Sequence, residues 1–142
     1  MKFTVISHAC LYVEHKDIKL LIDPWVVGSC YWRSWWNYPE VSQDLINYIK
    51  PTHIYLTHLH WDHYHGPSLR LFQDSNPSIL IPKHFNKRMK KDLLKYFKFS
   101  NIKELDHGKK YNIKYGLKLT SYQFNSIFID SSLVIEANGI TL

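Results

Sequence analysis

Short apolar runs separated by polar turns dominate the first part of the chain. Residues 3–6, 9–14 and 18–23 are rich in β-branched, aromatic and aliphatic side chains and have the length of strands. The polar segment 15–17 separates the last two runs, so we predict a β-hairpin there. Pro24 ends the third strand, because proline has no N–H to give to a strand ladder.

The pattern changes to helical spacing in the middle of the chain. Apolar side chains recur at three- and four-residue intervals between residues 41 and 49, and Pro51 closes this predicted helix. Residues 53–57 and 78–81 are short apolar runs that predict buried strands. A short helix is expected at residues 69–72. A longer, basic helix has its predicted apolar stripe at Phe85, Met89, Leu93, Leu94 and Phe97.

Strands return in the last third of the chain. They are predicted at residues 102–105, 111–114, 117–122 and 132–137. Strands, then alternating strands and helices, then strands again are typical of an α/β layer with one sheet and helices outside it. Asn138-Gly139 predicts a hairpin turn, but only three residues follow it, so we expect an unpaired edge that favours self-association.

Length, composition and charge limit the class of protein. The 142 residues are enough for one domain, and no apolar run approaches the roughly 20 residues of a membrane-spanning helix. No signal peptide is evident, and Cys10 and Cys30 form no ligand-spaced pair, so we expect a cytoplasmic setting. Much of the net charge of +6 surrounds the basic helix without interleaved aromatic side chains, so we do not expect nucleic acid as a partner.

The strongest chemical signal is the segment Thr-His-Leu-His-Trp-Asp-His-Tyr-His-Gly at residues 57–66. Four histidines and one aspartate fall within eight residues, directly after an apolar run and directly before Gly66-Pro67, a typical helix entry. Such a strand-to-helix loop lets ligands converge on a rigid scaffold. Chance is a poor explanation, because the chain has nine histidines in all and four of them stand here.

The order of these side chains predicts two metal ligand pairs. His58 and His60 alternate along an extended chain, so both imidazoles can point the same way and share one cation. Asp62 and His63 follow as the chain turns, and we expect them to serve a second cation nearby. Imidazole with carboxylate suits Zn, Fe or Mn, so the ligand types alone leave the metal open.

The H-x-H-x-D-H motif of residues 58–63 resembles the metal-binding motif of the metallo-β-lactamase fold superfamily. Residues 7–9, Ser-His-Ala, and 20–24, Leu-Leu-Ile-Asp-Pro, resemble the opening of one branch of it. That branch includes N-acyl-phosphatidylethanolamine phospholipase D, ascorbate-6-phosphate lactonase and the CMP-N-acetylneuraminate hydroxylases. The resemblance implies an αββα sandwich, of which residues 1–142 would form the N-terminal half as a single domain.

The resemblance also implies the chemistry. Two zinc ions, or iron or manganese, roughly 3.5–4 Å apart would activate a water for attack on an ester, lactone, amide or phosphodiester. Asp62 is the residue expected to act in catalysis as well as in metal binding. Iron-dependent oxygenation of the hydroxylase kind is an alternative. A non-catalytic metal-binding module and a nucleic-acid-processing relative are further alternatives.

Side chains outside the cluster are expected to support it. Asp23 stands at a predicted strand end, where a carboxylate can orient a ligand histidine. The resemblance places His8 near the metals as a partner of the ligands, and a surface histidine at a turn is the alternative. The irregular segment 24–40 contains Arg33 and several tryptophans, namely Trp25, Trp32, Trp35 and Trp36. These suit a small-molecule substrate with apolar and anionic parts, unless the rings only close the core or bury against another part of the protein.

The sequence departs from the family pattern where relatives carry a third histidine for the first metal. That ligand follows a strand like residues 117–122, but here Gln-Phe-Asn-Ser follows instead. The histidines downstream of the motif are His65, His84 and His107, and Asp130 offers an oxygen. Because the family's remaining ligands come later, we expect this chain to be the N-terminal portion of a longer protein, with an incomplete site and little turnover alone.

Overall fold

Strands make up most of the regular structure, as the sequence pattern predicts. The computed structural model describes residues 1–124 and 130–142. Its strands are β1 Lys2–Ser7, β2 Cys10–His15, β3 Ile18–Ile22, β4 Ser29–Cys30, β5 Trp35–Trp36, β6 His53–Tyr55, β7 Ser78–Pro82, β8 Ile102–Leu105, β9 Lys110–Asn112, β10 Lys118–Gln123, β11 Ser131–Ala137 and β12 Ile140–Thr141. Its helices are α1 Gln43–Tyr48, α2 Gly66–Leu71 and α3 Arg88–Tyr96. None of the helices in the described residues is long and apolar enough to cross a membrane.

Six strands form a mixed sheet in the order β1-β2-β3-β6-β7-β8. The first three are antiparallel because short turns join them, whereas β3, β6, β7 and β8 run parallel. Parallel neighbours need a crossover connection, and α1, α2 and α3 lie in the three crossovers. The mixed α/β architecture predicted from the sequence is therefore confirmed.

The later strands form a second sheet, in the order β12-β11-β10-β9. The expectation that they extend a single sheet is corrected here: they pair with one another as antiparallel hairpins. The predicted turn at Asn138-Gly139 is confirmed, since both residues have positive φ and connect β11 to β12. As expected, β12 is too short to pair along the whole of β11.

Two apolar cores separate three layers of structure. Side chains alternate between the faces of a strand, so Leu21 and Ile54 face the helices, whereas Leu20 and Tyr55 face the second sheet. The first core also contains Ile46, Leu69 and Leu93 from the three helices. The second contains Leu119 and Ile135 from the second sheet. The result is a helix–sheet–sheet arrangement, which is part of an αββα sandwich.

The apolar stripe of α3 is narrower than predicted. Met89, Leu93 and Phe97 are buried against the first sheet. Phe85 and Leu94, which were expected in the same stripe, are exposed. Phe85 precedes the helix, and Leu94 is rotated by about 100° from its neighbour Leu93 on the helix surface.

A buried hydroxyl network joins the two sheets beside the histidine loop. The hydroxyl of Tyr55, on β6, lies 2.8 Å from those of Ser121 and Ser131 on the second sheet. Ser131 also donates to the carbonyl oxygen of Thr57 at 2.8 Å. Because that bond uses the one hydroxyl proton of Ser131, Tyr55 donates to Ser131 and accepts from Ser121. The network holds the second sheet against the strand that leads into the histidine cluster.

Replacing Tyr55 by Phe keeps the packing of the ring but removes this shared hydroxyl. We expect the free energy of unfolding to fall by about 1–3 kcal/mol, because the buried Ser121 and the partly buried Ser131 lose a hydrogen-bond partner. Urea denaturation followed by circular dichroism measures the change. Tyr48→Phe is the matched control: Tyr48 is 51% exposed and its hydroxyl bonds Glu14 at the surface, so the loss of this hydroxyl should cost less than about 1 kcal/mol. Equal effects of the two substitutions would contradict the network.

Candidate metal centre

The histidine cluster lies in a tight turn between β6 and α2. The carbonyl oxygen of His60 accepts hydrogen bonds from the N–H groups of His63 at 3.0 Å and Tyr64 at 2.7 Å. His65 has a different place, as the N-cap of α2. Its Nδ1 is 2.8 Å from the hydroxyl of Ser68 and accepts the N–H of Ser68 at 3.4 Å. Because Nδ1 of His65 caps the helix, His65 is not one of the candidate metal ligands.

His63 is held by a buried carboxylate at the end of β3. Asp23 Oδ2 lies 2.7 Å from Nδ1 of His63 and accepts the hydroxyl of Thr57 at 2.6 Å. Its Oδ1 accepts the N–H of Thr57 at 2.8 Å. Burial alone would lower the pKa of His63, but the hydrogen bond and the charge of Asp23 outweigh it and hold that pKa above its usual value. Asp23 therefore fixes the ring of His63 through Nδ1 and leaves Nε2 for another partner.

Both oxygens of Asp62 have partners. Oδ1 accepts the hydroxyl of Tyr31 at 2.6 Å, while Oδ2 lies 3.0 Å from Nε2 of His8 and 3.3 Å from Nε2 of His63. Burial alone would raise the pKa of Asp62, but the hydrogen bond from Tyr31 and the neighbouring imidazoles lower it overall. The donor atoms of His8, Asp62 and His63 all lie within 4.8 Å of one another.

His58 and His60 lie beside this group. Their ring centroids are 4.7 Å apart, and those of His58 and His63 are 4.0 Å apart. Nδ1 of His58 lies 2.8 Å from the hydroxyl of Thr57 and 3.7 Å from Oδ1 of Asp130. Burial, and then the neighbouring His63, lower the pKa of His58, which favours the neutral imidazole that binds metals. The fold thus brings the side chains of the H-x-H-x-D-H motif together.

The donor set suits a transition-metal cation. Imidazole and carboxylate groups bind Zn, Fe and Mn. In such sites a carboxylate often accepts a hydrogen bond from the ring nitrogen of a ligand histidine that does not bind the metal. Asp23 makes this contact with Nδ1 of His63. A tetrahedral ion with bonds of about 2.0–2.1 Å holds its ligand atoms about 3.3 Å apart, and Asp62 Oδ2 and His63 Nε2 are separated by 3.3 Å. The residues present therefore fit a metal ion.

The aromatic segment forms an exposed rim beside the cluster. Strands β4 and β5 pair as a two-stranded ribbon. Trp32, Trp35 and Trp36 are 84%, 50% and 61% exposed, and Arg33 is exposed as well. Trp25 does not belong to this rim: only 2% of its surface is exposed, because it stands shortly after β3, inside the core. It is therefore not available for direct contact with a substrate.

Tyr31 connects this rim to the cluster and was not singled out by the sequence pattern. Its ring stacks on that of Trp61, with centroids 5.7 Å apart and planes 16° apart, and its hydroxyl reaches Asp62. Tyr31, Trp32 and Arg33 have φ of 48°, 54° and 69°. This left-handed conformation costs roughly 1–2 kcal/mol per residue that has a side chain, and such strain is concentrated at functional sites. Without a glycine or asparagine, the sequence does not signal the turn.

The histidines farther along the chain belong to another part of the surface. His84 and His107 line a cleft of 390 Å³ that contains none of the cluster residues. Gln123 begins the segment 123–126, where the resemblance predicts a third histidine; it lines the same cleft and donates its side-chain N–H to the carbonyl oxygen of Leu105. Asn125 and Ser126 of that segment lie outside the described residues.

A family model described as a beta-lactamase superfamily domain matches residues 2–138. The chain belongs to the metallo-β-lactamase superfamily. The resemblance inferred from the H-x-H-x-D-H motif is thereby confirmed. The layered mixed-sheet fold agrees with this membership, and the superfamily fold is one that binds metals.

Curated relatives include cytidine monophosphate-N-acetylneuraminic acid hydroxylases. The protein of that name from Asterias rubens is 35% identical over 82 residues, which is 57% of this chain and 13% of the relative. The inactive human protein of that name is 32% identical over 82 residues, which is 57% of this chain and 16% of the relative. The matched region therefore spans less than a fifth of either relative.

Solved structures with the same fold include both hydroxylases and hydrolases. The diiron β-hydroxylase CmlA from Streptomyces venezuelae gives a TM-score of 0.72 at 18% identity, covering 96% of this chain and 27% of that chain. An isothiocyanate hydrolase from Delia radicum gut bacteria gives 0.65 at 18% identity, covering 97% of this chain and 59% of that one. The fold is therefore compatible with either chemistry.

Replacing Tyr31 by Phe should leave the stacked ring in place but release Oδ1 of Asp62. If Asp62 is a metal ligand, zinc added to the variant should bind there about 10–100-fold more weakly, which is the usual effect of removing a group that orients a ligand. Isothermal titration calorimetry measures the affinity and the number of equivalents bound. Tyr38→Phe removes a hydroxyl from the same segment, on a side chain that is 99% exposed, and should change neither. Identical zinc affinities in the two variants would contradict a role for Tyr31.

Proposed function

We propose that this chain contains the metal-binding part of a metal-dependent hydrolase, in which a metal-activated water attacks an ester, lactone, amide or phosphodiester. The convergence of Asp62 Oδ2 and His63 Nε2, 3.3 Å apart, beside the adjacent rings of His58 and His60 is the observation that carries the proposal. Hydrolases among the structural neighbours support it. We also propose that residues 1–142 fold as a single domain of this enzyme.

Two cations are part of the proposal. His58 and His60 would bind one, and Asp62 and His63 the other. Zinc is our first choice, with iron and manganese as alternatives, because imidazole and carboxylate ligands suit all three. A divalent cation held by these residues would lower the pKa of a water molecule to about 7 and would polarise the bond to be broken.

Asp62 is the residue that we propose to contact the reacting water. Its lowered pKa keeps the carboxylate ionised at neutral pH, so it can accept a hydrogen bond from that water. Oδ2 is the proposed metal-binding atom, so the water would be contacted by Oδ1, which accepts from Tyr31 and has a second lone pair free. Asp23 would keep His63 in place, because its carboxylate is hydrogen-bonded to Nδ1. Nδ1 is on the other side of the ring from Nε2, the proposed metal-binding nitrogen.

The aromatic rim would select the substrate. Its exposed indoles offer apolar surface, and Arg33 offers a positive charge. Trp32 is 4.8 Å from Trp61, and Trp35 is 6.2 Å from His8, measured between ring centroids. The rim is thus continuous with the candidate metal centre. We propose a small-molecule substrate that has both an apolar and an anionic part.

Iron-dependent hydroxylation is the second candidate function. The 35% identity over 82 residues to a cytidine monophosphate-N-acetylneuraminic acid hydroxylase favours it. Such an oxygenase needs iron, dioxygen and an electron donor in place of zinc and water. Elemental analysis of the protein purified in air and under anaerobic conditions tests the choice. Zinc in both preparations supports hydrolysis, whereas iron that is retained under anaerobic conditions supports hydroxylation and contradicts zinc as the first choice of metal.

We do not propose a nucleic-acid partner, because an acidic side chain partly neutralises the lysines around helix α3. Lys87 and Lys90 bind Glu104 at 2.6 Å and 3.0 Å. Burial alone would raise the pKa of Glu104, but the hydrogen bonds from the two lysines lower it overall, which keeps this acid ionised between them. A non-catalytic metal-binding module is the alternative that would apply if the bound metal supported no reaction.

Self-association and a cytoplasmic location also remain proposals. Strand β1 is at the edge of its sheet and exposes Phe3 and Val5, and unpaired strand edges favour association. The edge at β12, expected from the sequence, is a second candidate surface. Cys10 and Cys30 are buried free thiols, which suits the reducing conditions of the cytoplasm.

Replacing both His58 and His60 by Ala should abolish the tight binding of one metal, because this pair is our ligand set for the first cation. Elemental analysis after dialysis against metal-free buffer measures the loss. The double substitution His84→Ala and His107→Ala is the matched control, since these histidines line a different cleft. Unchanged metal content in the first variant would contradict the ligand assignment.

Asp62→Asn should separate the two proposed cations. The amide keeps the shape of the carboxylate but lacks the charge that a divalent ion favours. We expect the first equivalent of zinc to bind as in the unmodified chain and the second to bind at least about tenfold more weakly. Calorimetric titration with zinc distinguishes the two equivalents, and an equal loss of both would show that the pairs are not independent.

A further inference from the structure

We propose that His8 is a third protein ligand of the cation held by Asp62 and His63. This inference rests on the proposed metal-dependent function and extends it. Nε2 of His8 lies 3.0 Å from Oδ2 of Asp62, and the donor atoms of the three residues are all within 4.8 Å of one another. The sequence resemblance predicts His8 only as a partner of the ligands.

The backbone on either side of His8 is held in place by strand pairing and by a hydrogen bond. His8 lies in the turn between β1 and β2, next to an irregularity in the pairing of these strands between Val5 and Ser7. The hydroxyl of Ser7 donates to the carbonyl oxygen of Trp25 at 2.6 Å, which ties the turn to the segment that follows β3. A preorganised backbone reduces the cost of holding a ligand in place.

Aromatic contacts fix the imidazole of His8. The indole of Trp25 lies 5.7 Å away at 71°, and that of Trp35 lies 6.2 Å away at 74°, measured between ring centroids and planes. These edge contacts hold the ring so that Nε2 faces Asp62. Because 43% of the His8 side chain is still exposed, a cation or water can reach it from solvent.

The separations match those between ligands of one metal ion. Bonds of about 2.0–2.1 Å in tetrahedral geometry place ligand atoms about 3.3 Å apart. Oδ2 of Asp62 lies 3.0 Å from Nε2 of His8 and 3.3 Å from Nε2 of His63. Since Tyr31 holds the other oxygen of Asp62, Oδ2 is the oxygen that faces both imidazoles.

A set of two histidines and one carboxylate has chemical consequences. Catalytic zinc sites commonly have three protein ligands of this kind and leave a fourth position for water. Asp62 and His63 alone would give a two-ligand site, which binds weakly. With His8, the second cation gains a complete catalytic ligand set within the described residues, independently of the missing third histidine of the first cation.

His8→Gln tests this inference, because the Gln side-chain N–H can still donate to Asp62 but its amide is a poor metal ligand. Calorimetric titration with Zn²⁺ should show one equivalent bound at least about tenfold more weakly than in the unmodified chain. The absorption spectrum of bound Co²⁺ should change for that equivalent. His84→Gln, in the separate cleft, should change neither. Urea unfolding of the metal-free variants checks that they are folded.

Nitrogen-15 NMR of the unmodified chain provides a second measurement that needs no variant. Addition of Zn²⁺ should shift the Nε2 resonance of His8 and leave Nδ1 protonated. Unchanged zinc affinity and cobalt spectrum in His8→Gln, or an unshifted His8 Nε2, would overturn this inference alone. A chain that binds neither Zn²⁺ nor Co²⁺ would overturn the proposed metal-dependent function as well.

Discussion

The arrangement of the candidate site depends on one buried carboxylate, that of Asp23. It stands directly after β3 in a left-handed conformation, with φ of 44°, and is 2% exposed. Because β3 and β6 run parallel and end side by side, this carboxylate can reach the backbone and hydroxyl of Thr57 and the ring of His63. A buried carboxylate without partners is very unfavourable, so the requirement to satisfy its charge fixes the start of the loop and the orientation of His63 together.

Features that depend on local sequence were predictable. The runs that became β1, β2, β3 and β6 have strand length and turn residues at their ends, and Asn138-Gly139 has the composition of its turn. The H-x-H-x-D-H spacing and the helix entry at Gly66 likewise identify the cluster and its loop from the order of residues alone. The place of Asp23 could be predicted because strand ends in a parallel sheet meet at one edge.

Features that depend on long-range pairing were not predictable from the sequence. Alternation predicts a strand but not the sheet it joins, so the second sheet, from β9 to β12, was assigned to the first. Trp25 and Trp32 belong to the same irregular segment, yet one is core and the other is the most exposed tryptophan of the rim. The contact of Tyr31 with Asp62 was not predicted, because a left-handed turn without glycine leaves no signal. His8 was expected near the ligands from the resemblance alone, because its contact with Asp62 depends on how two segments 54 residues apart are packed.

The loop is therefore held by contacts with several layers of the fold, and these contacts differ between the candidate metal ligands. His63 is fixed by Asp23 on the first sheet, and the loop backbone at Thr57 is fixed by Ser131 on the second. Asp62 contacts His8 and His63 through Oδ2, but its Oδ1 is held by Tyr31, in the turn between β4 and β5. A two-stranded ribbon is a much less stable unit than a packed sheet. If the rim binds the proposed substrate, the hydrogen bond from Tyr31 connects that contact to Asp62, whereas His63 is held by Asp23 on the packed sheet.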